Sequence, residues 1–418
     1  MATNFNSIEK FVKEANKKGA TKELIQNMAP ITDAPIKHTS FKEGFTSDMV
    51  LSRWDAIKTT PFDALYNNDD LSVFSKNIEN IIGTVKVPVG IAGPLSINSL
   101  HGKGQYLLPL ATTEAALVAS IHRGAALMNR AGGCTTLLLS EGVTRSPGFV
   151  FKNMMELAQF IQWGVLNKQK IIEVANTTSR FAKLEDVRLS VEGNHVYMMC
   201  DFSTGDAAGQ NMVTIATQAV CEYIVKNCPT PIHEWFVEAN ASGDKKASVQ
   251  SFVTVRGKKV SAEVIIPKRF VEKILHTKVS KMTSYWRISA LGGVISGTIG
   301  VQGHFANALA ALFLACGQDI ACVAEASVGV TRFEETENGD LYATVTLPNL
   351  IVGTVGGGTT LPSQKACLDL MGVAGSGNSR RFAEVCAGAV LAGELSIIGS
   401  LSAGDFTQAH KKLARDRK

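Results

Sequence analysis

The chain has 418 residues, of which 45% are hydrophobic and 19% are charged, and its formal net charge is +5. This length allows two or three domains with a large core, and this composition excludes an intrinsically disordered protein. The weak positive charge does not indicate a nucleic-acid-binding protein, because aromatic and basic residues are not interleaved. The basic end at residues 410–418 is interpreted either as a solvated tail or as an attraction for polyanionic ligands.

The cysteines and the apolar segments indicate a cytoplasmic protein without a metal. The eight cysteines form no CxxC pair, and the chain contains no HExxH, so a metal site is not expected. Most of these cysteines lie in apolar runs, which is typical of reduced core thiols. The polar N-terminus lacks the apolar segment of a signal peptide, and the apolar run Phe305–Cys316 is too short to span a bilayer.

The first part of the chain, residues 1–75, is polar and is predicted to be helical. Val85–Leu95 then mixes β-branched residues with Pro and Gly, which predicts extended chain and tight turns. A helix is predicted over Ala115–Met128, with Thr112 and Thr113 as candidate N-caps.

Residues 147–235 are predicted to form a small α+β unit. The residue pattern predicts one helix over Met154–Asn167 and another over Met212–Lys226. Between them, Arg188–Cys200 is predicted to form two strands joined by a turn.

The second half of the chain is predicted to contain a hairpin and two apolar helices. Ser251–Pro267 is predicted to be the hairpin, with Arg256-Gly257-Lys258 at its tip. Ser289–Ser327 begins Gly-rich and becomes almost continuously apolar, which is typical of a helix in the middle of a domain. A second, Gly/Ala-rich helix is predicted over about Arg381–Leu401, and Gly353–Thr359 precedes another helix.

Three separate segments carry candidate catalytic groups. Glu114 opens a predicted helix, where it could serve only the helix dipole, and Lys245 with Lys246 could be a solvated surface pair. Asp319 follows the most apolar segment, where an isolated carboxylate is costly unless it is paired or functional. A lysine flanked by two carboxylates can polarise a carbonyl and transfer protons.

Candidate phosphate-binding segments are present, although no GxGxxG occurs and a Rossmann site is not predicted. Ser179-Arg180-Phe181 places an arginine beside a hydroxyl, a pattern that can bind a phosphate through charge-assisted bonds. Gly205–Asn211 is a small-residue loop ahead of a helix, with free N–H groups suited to a pyrophosphate. Glycines 356–358 either let a ligand approach the backbone or form a packed turn.

Taken together, these segments resemble the soluble form of the class I 3-hydroxy-3-methylglutaryl-CoA (HMG-CoA) reductases. The resemblance extends from about Glu79 to His410. It is carried by PVGIAGPL (88–95), ATTEAALVAS (111–120), GVTRSP (142–147), TSRFAKL (178–184), GDAAGQNM (205–212), DKK (244–246), ACGQD (315–319), GTVGGGT (353–359) and AGELS (392–396). A paralogue that reduces a different acyl-CoA thioester and a non-catalytic acyl-CoA-binding protein remain as alternatives.

The resemblance implies reduction of (S)-HMG-CoA to mevalonate and free coenzyme A with two NADPH, in the mevalonate pathway of isoprenoid biosynthesis. It places the catalytic residues at Glu114, Lys245, Asp319 and His410. Lys245 would stabilise an oxyanion, and Glu114 would supply a proton. Asp319 would hold these two in register, and His410 would protonate the departing thiolate.

The resemblance also implies binding residues for the substrate and the cofactor. The substrate-binding residues are Ser120, Arg123, Arg145, Asn240, Asp244, Lys246 and Asn307. The NADPH-binding residues are Ser179, Arg180, Phe181, Asp206, Ala207, Ala208, Gly209, Gln210, Asn211 and Gly357. The chain departs from the family at Glu238, where a serine is typical, and at Ala208 and Gln210, which replace methionines.

The implied architecture is an α+β fold with three parts. These parts are a helical N-terminal region (1–75), a large substrate-binding and catalytic domain around a central buried helix (76–146 and 236–418), and an inserted small ferredoxin-like NADPH-binding domain (147–235). The family forms its active sites between subunits, so a homodimer or homotetramer is expected. No nucleic-acid or membrane partner is expected.

Overall fold

The computed structural model describes residues 13, 40–66, 70–254 and 256–404. The chain divides into two compact units, Met1–Val85 and Lys86–Lys418. The first unit extends beyond residue 75, where the predicted helical region ends. Much of that region and the predicted catalytic His410 lie outside the described residues.

The described part of the first unit is built around one helix and a short 3₁₀ turn. Helix α1 (Ser47–Ala56) begins after Thr46, whose side chain accepts a hydrogen bond from the backbone of Met49. The 3₁₀ turn spans Leu71–Phe74. The buried core of this unit consists of Val50, Trp54, Tyr66, Leu71 and Ile81.

The described residues of the second unit form strands and helices in mixed order. The strands are β1 (Val89–Asn98), β2 (Gly104–Ala111), β3 (Cys134–Arg145), β4 (Gly148–Val150), β5 (Lys183–Glu192), β6 (His195–Ser203), β7 (Glu234–Phe236), β8 (Gly257–Ile266), β9 (Gly300–Val301), β10 (Gly329–Glu335) and β11 (Leu341–Leu350). The helices are α2 (Leu117–Arg130), α3 (Met154–Leu166), α4 (Lys168–Thr177), α5 (Gln210–Asn227), α6 (Gln250–Val253), α7 (Lys268–Leu275), α8 (Val279–Ser296), α9 (Phe305–Ala315), α10 (Val323–Ala326), α11 (Pro362–Leu370) and α12 (Ser379–Ala403). This mixture is the α+β class predicted from the sequence.

Strand β3 connects the two parts of the sheet, whose main path runs β7-β4-β6-β3-β8-β11-β10-β9. Its first part pairs with β8 from Thr135 to Gly142, and its last residues, Val143–Arg145, pair with β6. Both pairings are antiparallel. Because one continuous strand belongs to both parts, the end of β3 lies where the two hydrophobic cores meet.

The smaller core contains buried residues from Val143 to Ile224. It is covered by elements in the chain order β4, α3, α4, β5, β6, α5, β7, and its strands lie in the order β7-β4-β6-β5. All of these pairings are antiparallel. The predicted helices over 154–167 and 212–226 and the strand–turn–strand over 188–200 are confirmed.

The long buried helix of the larger core is α12, in which every residue from Phe382 to Ser396 is buried. The prediction that Ser289–Ser327 supplies the central helix is wrong in part. Gly297, at φ +73°, ends α8, whose last residues are exposed, and only the separate helix α9 is buried. Among the described residues, α12 alone is long and apolar enough to cross a membrane, yet 83% of its most apolar stretch is buried inside the protein.

Two local predictions are wrong because tertiary contacts decide the backbone. Residues 251–267 do not form a hairpin, since β8 pairs with β3 and β11, and Gly257 (φ +97°) approaches the backbone of Leu350 too closely for a side chain. The threonines do not cap α2, which begins after Ala116 without a side-chain cap. Instead, Thr112 Oγ1 accepts a hydrogen bond from the backbone N–H of Glu114 (3.0 Å).

Candidate active site

Lys245 and Asp319 form an accessible ion pair. Lys245 Nζ lies 3.0 Å from Asp319 Oδ2, and the two side chains are 46% and 41% exposed. Asp319 Oδ1 accepts a hydrogen bond from the N–H of Ala321 (3.0 Å), which fixes the carboxylate at the start of a 3₁₀ turn. The hydrogen bond with Asp319 raises the pKa of Lys245, so the ammonium form persists at neutral pH. The structure therefore joins two of the predicted catalytic residues.

A buried ion pair, Arg256–Glu325, holds the backbone of Lys245. The N–H of Lys245 donates to Glu325 Oε1 (3.1 Å), and Glu325 Oε2 accepts from Arg256 Nε (2.7 Å). Both of these side chains are fully buried. Arg256 Nη1 also donates to the carbonyl of Thr144 (2.7 Å). Burial raises the pKa of Glu325, although the arginine beside it opposes the shift. The hydrogen bond to this buried pair thus holds the backbone of Lys245 in the left-handed region, at φ +56°.

Arg145 lies in the same charged cluster, at the end of β3. Its Nη1 donates to Asp244 Oδ2 (3.0 Å) and to Glu238 Oε2 (3.2 Å), and the side chain is buried. Gln210 Oε1 accepts from Arg145 Nη2 (3.3 Å) and from Arg256 Nη2 (2.9 Å). The structure therefore brings Arg145 and Asp244, predicted to bind substrate, together with Gln210, predicted to bind cofactor.

Lys246 and Asn240 flank this cluster on the exposed loop. Lys246 Nζ donates to the carbonyl of Asp244 (2.9 Å). The N–H of Asn240, which has φ +62°, donates to Glu238 Oε1 (2.8 Å). Both side chains are on residues exposed to solvent, so they are accessible to a ligand.

The predicted cofactor loop is held against the start of α12. Asp206 accepts hydrogen bonds from the N–H groups of Gly377 (2.7 Å) and Ser379 (3.1 Å). Desolvation acts to raise the pKa of Asp206, but these hydrogen bonds outweigh it and the pKa lies below its usual value. Gly209, at φ +81°, is the N-cap position of α5. Ala207 and Ala208 lie so close to Gly353 that a side chain there would collide with them.

The glycine-rich segment connects the cofactor loop with the loop that carries Asp319. The N–H of Gly353 donates to Gln318 Oε1 (2.8 Å). Gly317 (φ +66°) and Gly358 are in such close backbone contact that a Cβ on either residue would collide with the other. In contrast, a Cβ at Gly356 or Gly357 would meet nothing within 4 Å. The segment is therefore packed at Gly353 and Gly358 and borders open space at Gly356 and Gly357.

The Ser179-Arg180-Phe181 segment forms an exposed turn beside α5. Ser179 Oγ accepts from the N–H groups of Phe181 (3.1 Å) and Ala182 (3.2 Å), and it lies 3.7 Å from Met212 Sδ. The guanidinium carbon of Arg180 is 5.7 Å from the ring centre of Phe181. This exposed cation and ring can receive a phosphate and a planar group.

Glu114 contacts Asn307 near the N-terminus of α9, whereas Asp319 follows the C-terminus of this helix. Glu114 Oε1 accepts from Asn307 Nδ2 (3.2 Å). Asn307 lies in the first turn of α9, whereas Asp319 follows the end of that helix at Ala315. The intervening helix is about 12 Å long at 1.5 Å per residue. Within the described residues of one chain, the predicted catalytic residues are therefore divided: Glu114 pairs with Asn307, a predicted substrate-binding residue, and Lys245 pairs with Asp319.

Comparisons with known proteins assign the family. The family model "Hydroxymethylglutaryl-coenzyme A reductase" matches residues 49–415. The 3-hydroxy-3-methylglutaryl-coenzyme A reductase of Pyrococcus horikoshii is 41% identical over 358 residues, which cover 84% of this chain and 86% of that protein. The chain belongs to the HMG-CoA reductase family. The corresponding reductase of Methanocaldococcus jannaschii is 41% identical over 355 residues, with coverage of 84% and 87%.

The same fold occurs in a bacterial member of the HMG-CoA reductase family. The class II enzyme from Streptococcus pneumoniae, solved bound to NADPH, matches with a TM-score of 0.65 at 18% identity. The match covers 79% of this chain and 89% of the bacterial chain. At this identity the likeness concerns the fold.

In this member of the HMG-CoA reductase family, the predicted substrate residues of α2 contact the central helix α12. Ser120 Oγ donates to Ser396 Oγ (2.9 Å). Arg123 donates from Nε to Ser396 Oγ (3.0 Å) and from Nη2 to its carbonyl (2.7 Å). Two residues earlier on α12, the buried Glu394 accepts from the N–H groups of Gly303 (2.7 Å) and His304 (2.8 Å). These contacts fix α2 and the start of α9 against α12.

Sequence reasoning missed four charged or titratable residues of these two regions. They are Arg256, Glu325, His304 and Glu394. The signals in the sequence were their position inside apolar segments, where a charged group needs a partner, and, for Glu394, the AGELS motif. Among the described residues, no group of three or more His, Cys, Asp or Glu side chains is arranged to hold a metal ion.

Proposed function

We propose that this protein is a soluble, cytoplasmic class I HMG-CoA reductase that converts (S)-HMG-CoA to mevalonate and free coenzyme A with two NADPH. The observation that carries the proposal is the accessible Lys245–Asp319 pair, built on a buried support that also binds Gln210 of the cofactor loop. The class I assignment is supported by 41% identity to the archaeal reductases against 18% to the class II enzyme.

The proposed chemistry follows from the charge and exposure of Lys245. NADPH supplies the hydride when it is bound. The Lys245 ammonium, held by Asp319, stabilises the negative charge that develops on the thioester oxygen. Glu114 supplies the proton for the later carbonyl reduction, and Asn307 orients its carboxyl group. His410, which lies outside the described residues, protonates the departing coenzyme A thiolate.

The residues present are suited to NADPH. The exposed guanidinium of Arg180 offers a positive charge for the 2′-phosphate, and Phe181 beside it offers an apolar face. The open space beside Gly356 and Gly357 leaves room for a ligand against the backbone. We therefore assign residues 147–235 as a ferredoxin-like cofactor domain, which the strand order β7-β4-β6-β5 supports.

The proposed substrate residues lie around the Lys245–Asp319 pair and around the contact between α2 and α12. Arg145, Asn240, Asp244 and Lys246 bind the acyl part beside Lys245, and Asn307 binds it beside Glu114. Ser120 and Arg123 contact coenzyme A from the face of α2 that borders Ser396. The large domain is proposed to begin at Lys86, where the second compact unit starts, to continue to residue 146 and to resume at residue 236.

The active site is proposed to be completed in a homodimer or homotetramer. Glu114 and Lys245 lie near opposite ends of α9 within one chain, which supports a site made from Glu114 of one copy and Lys245 of another. Mixing Glu114→Gln with Lys245→Ala, each inactive alone, tests this arrangement. Random exchange of subunits makes about half of the dimers mixed, and one of the two sites in each mixed dimer then contains both wild-type residues. About a quarter of the wild-type activity should therefore be restored. Failure to restore activity in verified mixed dimers would place both groups in one chain.

The reaction itself is tested by the absorbance of reduced nicotinamide in the presence of HMG-CoA and the full-length protein. We expect oxidation of two NADPH for each HMG-CoA and much slower oxidation of NADH. Arg180→Ala should raise KM for NADPH. Lys170→Ala, which removes an exposed cation of helix α4, is the control for the loss of a positive charge. A folded protein that leaves NADPH unoxidised would reject the proposal.

A further inference from the structure

Glu238 lies beside Arg145, the arginine proposed to bind the acyl part of the substrate. Its Oε2 accepts from Arg145 Nη1 (3.2 Å), from the N–H of Ser146 (3.3 Å) and from Ser242 Oγ (3.0 Å). Its Oε1 accepts from the N–H of Asn240 (2.8 Å). The side chain is 21% exposed, so solvent and ligands reach it. Glu238 therefore holds both the arginine and the loop that leads to Lys245.

The cluster around Arg145 already contains more negative than positive groups. Two arginines, Arg145 and Arg256, face three carboxylates. These carboxylates belong to Glu238, Asp244 and Glu325, so the formal charges of the cluster sum to minus one. A further carboxylate that approaches Arg145 would be repelled as long as Glu238 stays in place.

The hydrogen-bonding groups of Arg145 are also engaged by the protein. Nη1 serves Glu238 and Asp244, and Nη2 serves Gln210. Nε is buried and has no hydrogen-bond partner among the described residues. Of the two carboxylates on Nη1, Asp244 also pairs with Arg256, whereas Glu238 pairs among the described residues with Arg145 alone. Glu238 is therefore the carboxylate that another carboxylate can replace without leaving Arg256 short of a partner.

We propose that Glu238 is a specificity-determining residue whose carboxylate competes with the carboxylate of the acyl substrate for Arg145. This inference rests on the proposed reduction of HMG-CoA, which carries such a group. When the substrate binds, its carboxylate takes the place of Glu238, and the bonds from Asn240 and Ser242 transmit the exchange to the loop that carries Lys245. Thioesters without a carboxylate cannot make this exchange.

The decisive variant is Glu238→Gln, which removes the charge and keeps the shape of the side chain. We expect KM for HMG-CoA to fall about tenfold, because one like charge is removed from beside the binding group. The inhibition constant of free glutarate, a small dicarboxylate probe, should fall by a similar factor. The KM for NADPH should stay within about twofold, since the contacts of Arg180 and Asp206 are not changed.

Two further variants separate competition from a structural role. Glu238→Ser also removes the charge and should lower KM for HMG-CoA in the same way. Glu192→Gln removes a carboxylate from the exposed end of β5 and should leave KM unchanged. An unchanged or higher KM in folded Glu238→Gln and Glu238→Ser would overturn the inference and make Glu238 a structural support. Absence of HMG-CoA reduction by the wild-type protein would instead reject the proposed function.

Discussion

Two cation–carboxylate pairs, which are linked through the backbone N–H of Lys245, differ in how far they are buried. The Arg256–Glu325 pair is fully buried, whereas the Lys245–Asp319 pair is nearly half exposed. A buried pair is costly to break because one charge is left without a partner, and an exposed pair contributes little to stability. The exposed pair is therefore accessible for chemistry, while the buried pair holds the backbone of Lys245 in place.

The largest expected effect comes from breaking the buried pair. Arg256→Met leaves Glu325 without its cation and removes one of the two donors to Gln210, so the free energy of unfolding should fall by about 3–5 kcal/mol. Urea unfolding measures the change. Asp319→Asn, which alters the exposed pair, is the matched control and should cost less than about 1 kcal/mol. Equal losses in the two variants would remove the distinction between the pairs.

Lys245→Ala tests the exposed pair through catalysis. The loss of its positive charge should lower kcat by about 10²–10³, equivalent to about 2.7–4 kcal/mol, because the developing oxyanion loses its partner. The urea midpoint should stay close to that of the wild type, since the side chain is half exposed. Lys170→Ala removes another cation of an exposed pair and should change neither quantity. Wild-type turnover by Lys245→Ala would contradict the assigned role.

Gly317→Ala disturbs the loop that carries Asp319 without altering any charge of the two ion pairs. The residue has φ +66°, and a Cβ would collide with the carbonyl oxygen of Gly358. We expect a loss of about 1–3 kcal/mol of stability together with lower kcat. Gly292→Ala lies in α8 with open space around it and should be neutral or slightly stabilising. Both variants are compared by thermal unfolding and steady-state kinetics.

The smallest effect is expected for Asp206→Asn as a function of pH. The pKa of Asp206 is lowered in the folded protein, so its carboxylate stabilises the fold above the unfolded pKa near 3.9 and this contribution is lost as the pH falls through the folded pKa. The variant should therefore be less stable than the wild type at pH 7, and the difference should shrink below about pH 4. Urea midpoints across this range measure it. A constant difference would show that the hydrogen bonds do not depend on ionisation.

The sequence allowed prediction of elements whose signals are local. The helices over residues 154–166, 210–227 and 379–403 were predictable because their residue patterns do not depend on distant partners. The hairpin over residues 251–267 could not be corrected from the sequence, because a glycine beside two basic residues is also typical of a turn. Only the neighbouring backbone of Leu350 explains why Gly257 opens a central strand instead.

The candidate site was predictable as a set of residues and not as an arrangement. The Lys245–Asp319 pair agrees with the motifs that carry the family resemblance. The support from Arg256 was missed because its partners, Thr144, Asp244 and Glu325, come from separate parts of the chain. The separation of Glu114 from Lys245 along α9 was equally hidden, since sequence order contains no distances between side chains.

The α+β class and the family followed from the amino-acid sequence alone, and the candidate reactive groups were predicted from it, because residue type, order and local periodicity are properties of the chain. The folded structure was needed to show which helix lies at the centre, which two carboxylates pair with Arg145 and which ion pair is buried. These outcomes depend on desolvation and on the distance between charges, and folding sets both by bringing remote segments together.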